Sequence, residues 1–378
     1  MRQIYLDYNS TTPIAPSVQE AMQPFFTEHF GNPSSPYALG RACQEALEDA
    51  RGQVASLLGA DREEVIFTSG GTESNNLALL GILLRKPARS GGHLVISALE
   101  HAAVAEPAKF LERLGYAVTV VGCDRQGVVD IDALESALRN ETVLVSIGHA
   151  NHEVGVIQPL RIVSALCRGR GILLHTNAAQ SVGKVRTHVD ELGVDLLSFT
   201  GHKLYAPKGI GALYVRRGTA LTPLMHGEGQ ESGLRPGTEN VPYAVGLGKA
   251  CMLAERSLEG AIDRMAKLRD GLWNGLRQAI GGKLAMNSAR AERLPNTLSA
   301  NFPGVSGAEL LARLPELCAS TGTSGASHAL SLSPTLAAMG LSPEQGRGAV
   351  RLSVGWYTSE EEIERAVSWL AGAWEALK

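Results

Sequence analysis

Between about residues 60 and 220 the apolar positions fall into two alternating patterns. Short unbroken runs, EVIFTS, HLVISA, AVTVVG, TVLVSIG, GILLHT, VDLLSF and GALYVR, are rich in β-branched residues and bounded by turn formers. Between several of them lie stretches with helical spacing: SNNLALLGILLRK, VAEPAKFLERLG, DIDALESALRN and PLRIVSALCRGRG. Continuous apolar strands alternating with amphipathic helices predict a mostly parallel sheet covered on both faces. After residue 240 the pattern changes. A long helical stretch runs from VPYAVGLGKACMLAERS through AIDRMAKLRDGLWNGLRQAI. Shorter strand candidates (TLSANF, AVRLSVG) then mix with helices (AELLARLPEL, SEEEIERAVSWLAGAWEAL). This predicts a large α/β domain followed by a smaller α+β domain joined to it by a long helix.

Composition narrows the class. At 378 residues the chain is too long for one ordinary core. Charged residues make up 19% and the net charge is −3, which gives no basic excess for a nucleic acid or a membrane surface. No apolar run reaches the roughly 20 residues a membrane span needs, and MRQIYLDYNSTTP has no signal-peptide core. A cytoplasmic protein is expected. Five widely spaced cysteines without a CxxC argue against a metal site or a disulfide framework, so no metal is expected.

Four polar clusters follow strand-like runs, where ligands collect in open α/β sheets. TSGGTESNN (68–76) puts glycines and Thr72 before a helix, a turn that suits an anion or is a plain strand-to-helix connection. SALEHAAV (97–104) places His101 past a strand end. HTNAAQSVGK (175–184) brings Asn177 and Gln180 together, and polar side chains there need partners in protein or ligand. SFTGHKLYAPKGIGALYV (198–215) sets Thr200, His202 and Lys203 between two apolar runs, where a desolvated lysine is suited to imine chemistry. A phosphate cradle, an imidazole, polar groups for a heteroaromatic ring and an imine-forming lysine are the parts that hold pyridoxal 5'-phosphate.

These clusters, with YLDYNSTTP, FGNPSSP, ANHEVGVIQP, GQESGLRPGTEN and AVRLSVG, resemble the cysteine desulfurase and selenocysteine lyase family almost end to end. That family lies in the class V aminotransferase group of fold-type I pyridoxal-phosphate enzymes. The resemblance implies a large cofactor-binding domain over 15–255 with a mostly parallel seven-stranded sheet, a smaller α+β domain built from 1–14 and 256–378, and a homodimer. It implies that Lys203 carries the cofactor as an imine and that His101 stacks on its ring and moves protons. Gly71, Thr72, Thr200 and His202 would hold the phosphate, with Thr238 reaching it from a partner subunit. Gln180 would bond the phenolic oxygen and Asn177 the ring nitrogen. Arg351 would clamp the carboxylate of a small amino-acid substrate, with Asn32, Asn151 and His152 placing it.

Four positions depart from the family pattern. STGTSGASHALSLSP (320–334) matches the family's active-site loop, but Gly325 stands at the place of the catalytic cysteine, and Cys318 lies seven residues earlier. Asn177 replaces an aspartate whose charge keeps the ring nitrogen protonated. His152 replaces an asparagine, and Glu228 a glycine. The resulting expectation is cleavage of the Cβ–S or Cβ–Se bond of cysteine, selenocysteine or a related amino acid without a loop persulfide, the need for a sulfur-acceptor protein staying open. The alternatives are a class V enzyme re-purposed for another amino acid and a cofactor-binding scaffold.

Overall fold

The computed structural model describes residues 3–85, 87–88, 91–321 and 332–378. The chain opens with β1 (Ile4–Tyr5), α1 (Pro16–Met22), α2 (Pro24–Thr27) and the 21-residue α3 (Ala38–Leu58). The alternating region follows as β2 (Val65–Thr68), α4 (Gly71–Leu83), β3 (His93–Ser97), α5 (Ala102–Arg113), β4 (Ala117–Val121), α6 (Ile131–Ala137), β5 (Thr142–Ser146), α7 (Leu160–Arg168), β6 (Leu173–Asn177), α8 (Val189–Leu192), β7 (Leu196–Thr200) and β8 (Gly211–Val215). Each of the seven apolar runs is a strand of one sheet, in the order β2–β8–β7–β6–β5–β3–β4. Only β8 runs against its neighbours β2 and β7. The C-terminal ends of the other six strands therefore share one edge.

Although these strands are buried on both faces, successive residues still serve different cores. Phe67, Val95, Val145, Leu174, Leu197 and Phe199 face a core with α3 and the first half of a later helix. Ile66, Leu94, Ile96, Leu144 and Leu196 face α4 and α5. Helix α4 opens with a polar turn, and its apolar second half, residues 77–83, is buried all round.

That later helix is α9 (Val241–Ile280), 40 residues long and capped by Asn240, whose side chain accepts the Tyr243 N–H. Its Ala244, Leu247, Cys251 and Ala254 belong to the large core. Its Met265, Leu268, Leu272 and Leu276 belong to a separate one, shared with Ile4 and Leu6. The remaining elements are β9 (Ala285–Met286), β10 (Thr297–Asn301), α10 (Gly307–Ala312), β11 (Leu317–Cys318), α11 (Pro334–Ala338), α12 (Pro343–Gly346), β12 (Ala349–Ser353) and α13 (Glu360–Glu375). Strands β9, β10 and β12 form an antiparallel sheet, and β1 pairs with β11. Helix α13 starts with a capping box between Ser359 and Glu362, its first-turn glutamates favoured by the helix dipole. No helix among the described residues is long and apolar enough to cross a membrane.

The predicted helix AELLARLPEL is shorter than its apolar pattern. It ends at Ala312, and Leu317 is already in β11. Helix α3 lies outside the pattern read above, yet Cys43, Leu47, Ala50, Val54 and Leu58 carry helical spacing and are all buried.

Candidate active site

The shared sheet edge carries the four polar clusters. After β2 the chain turns through Gly70, at φ 151°, into α4. Gly211 of β8 lies so close that a Cβ there would meet Phe199 O at 2.6 Å and Gly70 Cα at 2.7 Å, so only glycine lets strand and turn touch. Thr200, at the end of β7, closes the other side. Its Oγ1 lies 3.7 Å from where a Gly70 Cβ would stand, and its Cβ 3.5 Å from that of Gly71. The first N–H groups of α4 have no partner inside the helix, so this cradle offers donors and a helix N-terminus to an anion.

Lys203 ends the short 3-10 turn Gly201–Lys203 that follows β7. Burial pushes its amine down to about 8, helped by the Arg351 charge and opposed by Asp7. A lysine so placed is still mostly protonated at neutral pH, but its neutral, nucleophilic form is far more populated than that of an exposed lysine. His202 beside it bonds Thr11 Oγ1 through Nδ1 at 3.1 Å. Burial, then the neighbouring Lys203, Lys208 and Lys184, push it down to about 4.

His101 caps α5, its Nδ1 accepting the Ala103 N–H at 3.0 Å. The proton of the neutral ring therefore sits on Nε2, the atom left for other partners. Its ring meets His152 edge-on, with centroids 5.5 Å apart. Burial pushes His152 down to about 3, with His101, Lys203 and Arg351 adding to it, so His152 is a neutral imidazole here.

Asn177 ends β6. Its Oδ1 accepts the Ala179 N–H at 3.1 Å, which leaves its Nδ2 hydrogens as the outward donors. Gln180 is buried and oriented from both ends. Its Nε2 donates to Asn9 O at 3.0 Å and its Oε1 accepts from Lys184 Nζ at 3.1 Å. The Asn9 carbonyl cannot donate, so it fixes the amide and leaves one Gln180 N–H without a partner among the described residues. Lys184 is 5% exposed, and its other bond goes to Asn9 Oδ1 at 3.2 Å. Burial, then Lys203 and Arg351, push its amine well below the ordinary lysine range.

Arg351 in β12 is also buried. Its Nη2 donates to Asp7 Oδ1 at 2.6 Å and to Ser10 Oγ at 2.9 Å, and its Nη1 to His152 O at 2.9 Å. Its Nε is buried without a partner among the described residues. Asn9, already bonded to Gln180 and Lys184, ties them to the small antiparallel sheet: its Nδ2 donates to Thr297 Oγ1 at 2.8 Å, and its Oδ1 also accepts from Asn296 at 2.9 Å.

The fold thus brings Gly71, Thr200, His101, His152, Asn177, Gln180, His202, Lys203 and Arg351 to one edge. Asn151 stands there too, but its Oδ1 accepts the N–H groups of Glu153 and Val154 at 2.8 and 2.9 Å, so it shapes the turn. Thr72 is exposed on the first turn of α4. Asn32 and Thr238 lie on exposed loops, outside the contacts that knit the Lys203 group together, and Glu228 lies on the same stretch as Thr238. Gly325 falls outside the described residues. Cys318 is half-buried in β11, paired with Tyr5.

The sequence reading assigned no role to Asp7, Asn9, Ser10, Lys184, Glu100 or Glu153. Asp7, Asn9 and Ser10 sit within YLDYNSTTP, and Lys184 ends HTNAAQSVGK four residues after Gln180. Glu100 accepts the Gly148 N–H at 2.7 Å, and burial pushes it up to about 8. Glu153 accepts from Ser333 Oγ at 2.8 Å, and burial pushes it up to about 7.

An anion cradle, a desolvated lysine amine and oriented amide donors on one sheet edge fit pyridoxal phosphate, and the chain is a pyridoxal-phosphate-dependent enzyme. A family model described as Aminotransferase class-V matches residues 4–366, and the chain belongs to that family. It is 43% identical over 379 residues to "Cysteine desulfurase IscS" of Dictyoglomus turgidum, covering 100% of this chain and 96% of that protein. It is 40% identical over 376 residues to "Cysteine desulfurase IscS 1" of Archaeoglobus fulgidus, covering 99% and 97%. Among solved structures it matches a "NIFS-LIKE PROTEIN" with a TM-score of 0.91 at 36% identity, covering 99% of both chains. "SspA in complex with cysteine" matches with a TM-score of 0.83 at 35% identity, covering 94% and 99%.

Proposed function

We propose that this protein uses pyridoxal 5'-phosphate to cleave the Cβ–S or Cβ–Se bond of cysteine, selenocysteine or a related amino acid. The observation that carries this reading is the pairing of a desolvated Lys203 amine with a buried Arg351 whose Nε has no partner among the described residues. One group suits an aldehyde and a Cα proton, the other an α-carboxylate. When bound, the cofactor supplies the electron sink for the Cα carbanion.

The chain's own groups take the other tasks. The Gly70–Gly71 turn and Thr200 receive the phosphate, with Thr72 and His202 flanking. Asn177 offers Nδ2 hydrogens and suits an unprotonated ring nitrogen; Gln180 offers its free N–H to the phenolic oxygen. His101, neutral with its proton on Nε2, is the ring-facing imidazole, and Lys203 moves the Cα proton. His152 faces the substrate side, Asn151 shapes the turn that carries it, and Asn32 would reach the substrate from its exposed loop.

We further read residues 15–255 as the cofactor domain and 1–14 with 256–378 as the small domain, a division supported by the two cores along α9. A second copy of the chain would add Thr238, whose exposed loop supports that role. With Gly325 at the family's cysteine position, sulfur or selenium leaves without a loop persulfide. Five free cysteines suit a reducing, cytoplasmic setting.

The test is incubation of the cofactor-loaded protein with cysteine, selenocysteine and S-substituted cysteines. Sulfide, selenide or a thiol should form from at least one, together with pyruvate and ammonia; alanine should form in place of pyruvate only when a thiol reductant is added to take up the sulfur or selenium atom. If none appears with any substrate, the reading is wrong. Restoring a thiol with Gly325→Cys should then raise turnover of cysteine in the presence of a reductant.

A further inference from the structure

Asp7 belongs to YLDYNSTTP, and no role above uses its carboxylate. Its backbone bridges Ser353 at the end of β12, and Tyr5 Oη donates to the carbonyls of Asp7 at 3.1 Å and Thr11 at 2.9 Å. The segment is braced, and it presents the carboxylate to Arg351 at 2.6 Å, with side chains 19% and 6% exposed.

A guanidinium has five N–H groups in a fixed fork. Nη2 has two, and both are taken, by Asp7 and Ser10. Nη1 has one taken, by His152 O. Nε–H has no partner among the described residues. A carboxylate forms its strongest pair with two parallel N–H groups along one edge of the fork. The two available edges are Nη1 with Nη2 and Nε with Nη2, and both include Nη2. No incoming carboxylate can take either edge while Asp7 and Ser10 hold both Nη2 hydrogens.

We propose that Asp7 is an internal carboxylate that occupies the Arg351 fork in the free enzyme and yields it to the α-carboxylate of the incoming amino acid. The inference rests on Arg351 being the substrate clamp. The exchange gains a partner for the buried Nε–H, which the Asp7 contact leaves unmet. A ligand without a carboxylate gains nothing from displacing Asp7. Asp7 is therefore a specificity-determining positioning residue: it holds the guanidinium ready, and it sets how strongly the site favours α-amino acids over simple amines.

The experiment titrates the cofactor-loaded protein with L-alanine and with ethylamine, the same molecule without its carboxylate. Binding is followed by the cofactor's absorption. Asp7→Asn keeps an oxygen for Nη2 and removes the competing charge. The ratio of ethylamine Kd to L-alanine Kd should rise about fivefold to tenfold. Asp7→Glu should restore the wild-type ratio. Ser10→Ala frees the other Nη2 hydrogen and should raise the ratio about twofold; it carries the test if Asp7→Asn does not fold. A ratio that is unchanged or lower in Asp7→Asn overturns the proposal, as does an equal weakening of both ligands, the mark of a merely structural role. Arg351→Gln separates the two readings. If it leaves the ratio intact, Arg351 is not the clamp; if it collapses the ratio while Asp7→Asn leaves it unchanged, only the role of Asp7 falls.

Discussion

Two arginines of this protein are buried against carboxylates, and they are satisfied to different degrees. Arg51 on α3 meets Glu231 through both Nη atoms, at 2.7 and 2.8 Å. Its Nε donates to Glu48 at 3.1 Å and its Nη1 also to Val65 O at 2.9 Å, while its guanidinium lies 4.8 Å over the Phe67 ring. Glu231 in turn accepts the Phe67 N–H at 2.7 Å. Arg351 meets Asp7 through one nitrogen, and its Nε goes without a partner among the described residues. The first pair is closed, so its geometry resists change. It fastens the 229–240 stretch to α3 and β2, and holds Glu231 and Ser232 at φ 46° and 59°, a conformation side chains adopt only under constraint. The second pair is incomplete, and a fork held through one nitrogen at a site edge can take a ligand once Asp7 yields it. The difference between scaffold and site lies in how completely the arginine's hydrogens are spent.

Breaking the closed pair should have the largest effect. Glu231→Ala strips Arg51 of its bidentate partner inside the fold and leaves the Phe67 N–H unpaired. A loss of about 3–5 kcal/mol is expected, measured as a fall in the urea midpoint.

The open pair should instead show itself through pH. His152, whose carbonyl holds Arg351, has its folded pKa depressed to about 3 from an ordinary 6.5. Between those values the unfolded chain binds a proton that the folded one does not, so stability rises with pH there and is lost as pH falls from 6.5 toward 3. His152→Asn should make that part of the stability profile less steep, the rest of the slope coming from His93, His149, His175 and His202, which burial depresses in the same way. Lys203 acts in the same sense higher up: between about 8 and 10.5 the folded chain has shed a proton the unfolded chain keeps, so its penalty fades as pH rises. Comparing Lys203→Met with the wild-type apoprotein across that range checks the sign.

The smallest effect belongs to a pair that is neither closed nor poised. Lys267 and Glu360 lie 2.8 Å apart with side chains 76% and 71% exposed. Glu360→Ala should leave the unfolding midpoint within experimental error, because water screens the pair in either state.

Much of this molecule is written locally. The apolar runs become strands because β-branched residues four to six long suit a sheet buried on both faces, and the intervening spacing suits helices. Helix α3 was equally legible in the spacing of Cys43, Leu47, Ala50 and Val54. The site's chemistry was legible where polar residues follow those strands, since six strand ends share one edge: hence Thr200, Lys203, His101, Asn177 and Gln180. AELLARLPEL was misjudged in length because a buried strand and a buried helix share the same apolar content over so few residues.

What the sequence by itself determined, then, is the alternation of elements and the residue types at the strand ends, because both follow from neighbours a few positions apart. Only the tertiary structure decided which groups face each other. Asp7 and Arg351 are 344 residues apart, and β12 brings them together by bridging to the segment that follows β1. Gln180 acquires its orientation from Lys184 and a carbonyl of Asn9, 171 residues away. Whether an arginine is a closed scaffold bond or an open receptor depends on the count of hydrogens left after folding, and no local pattern records that count.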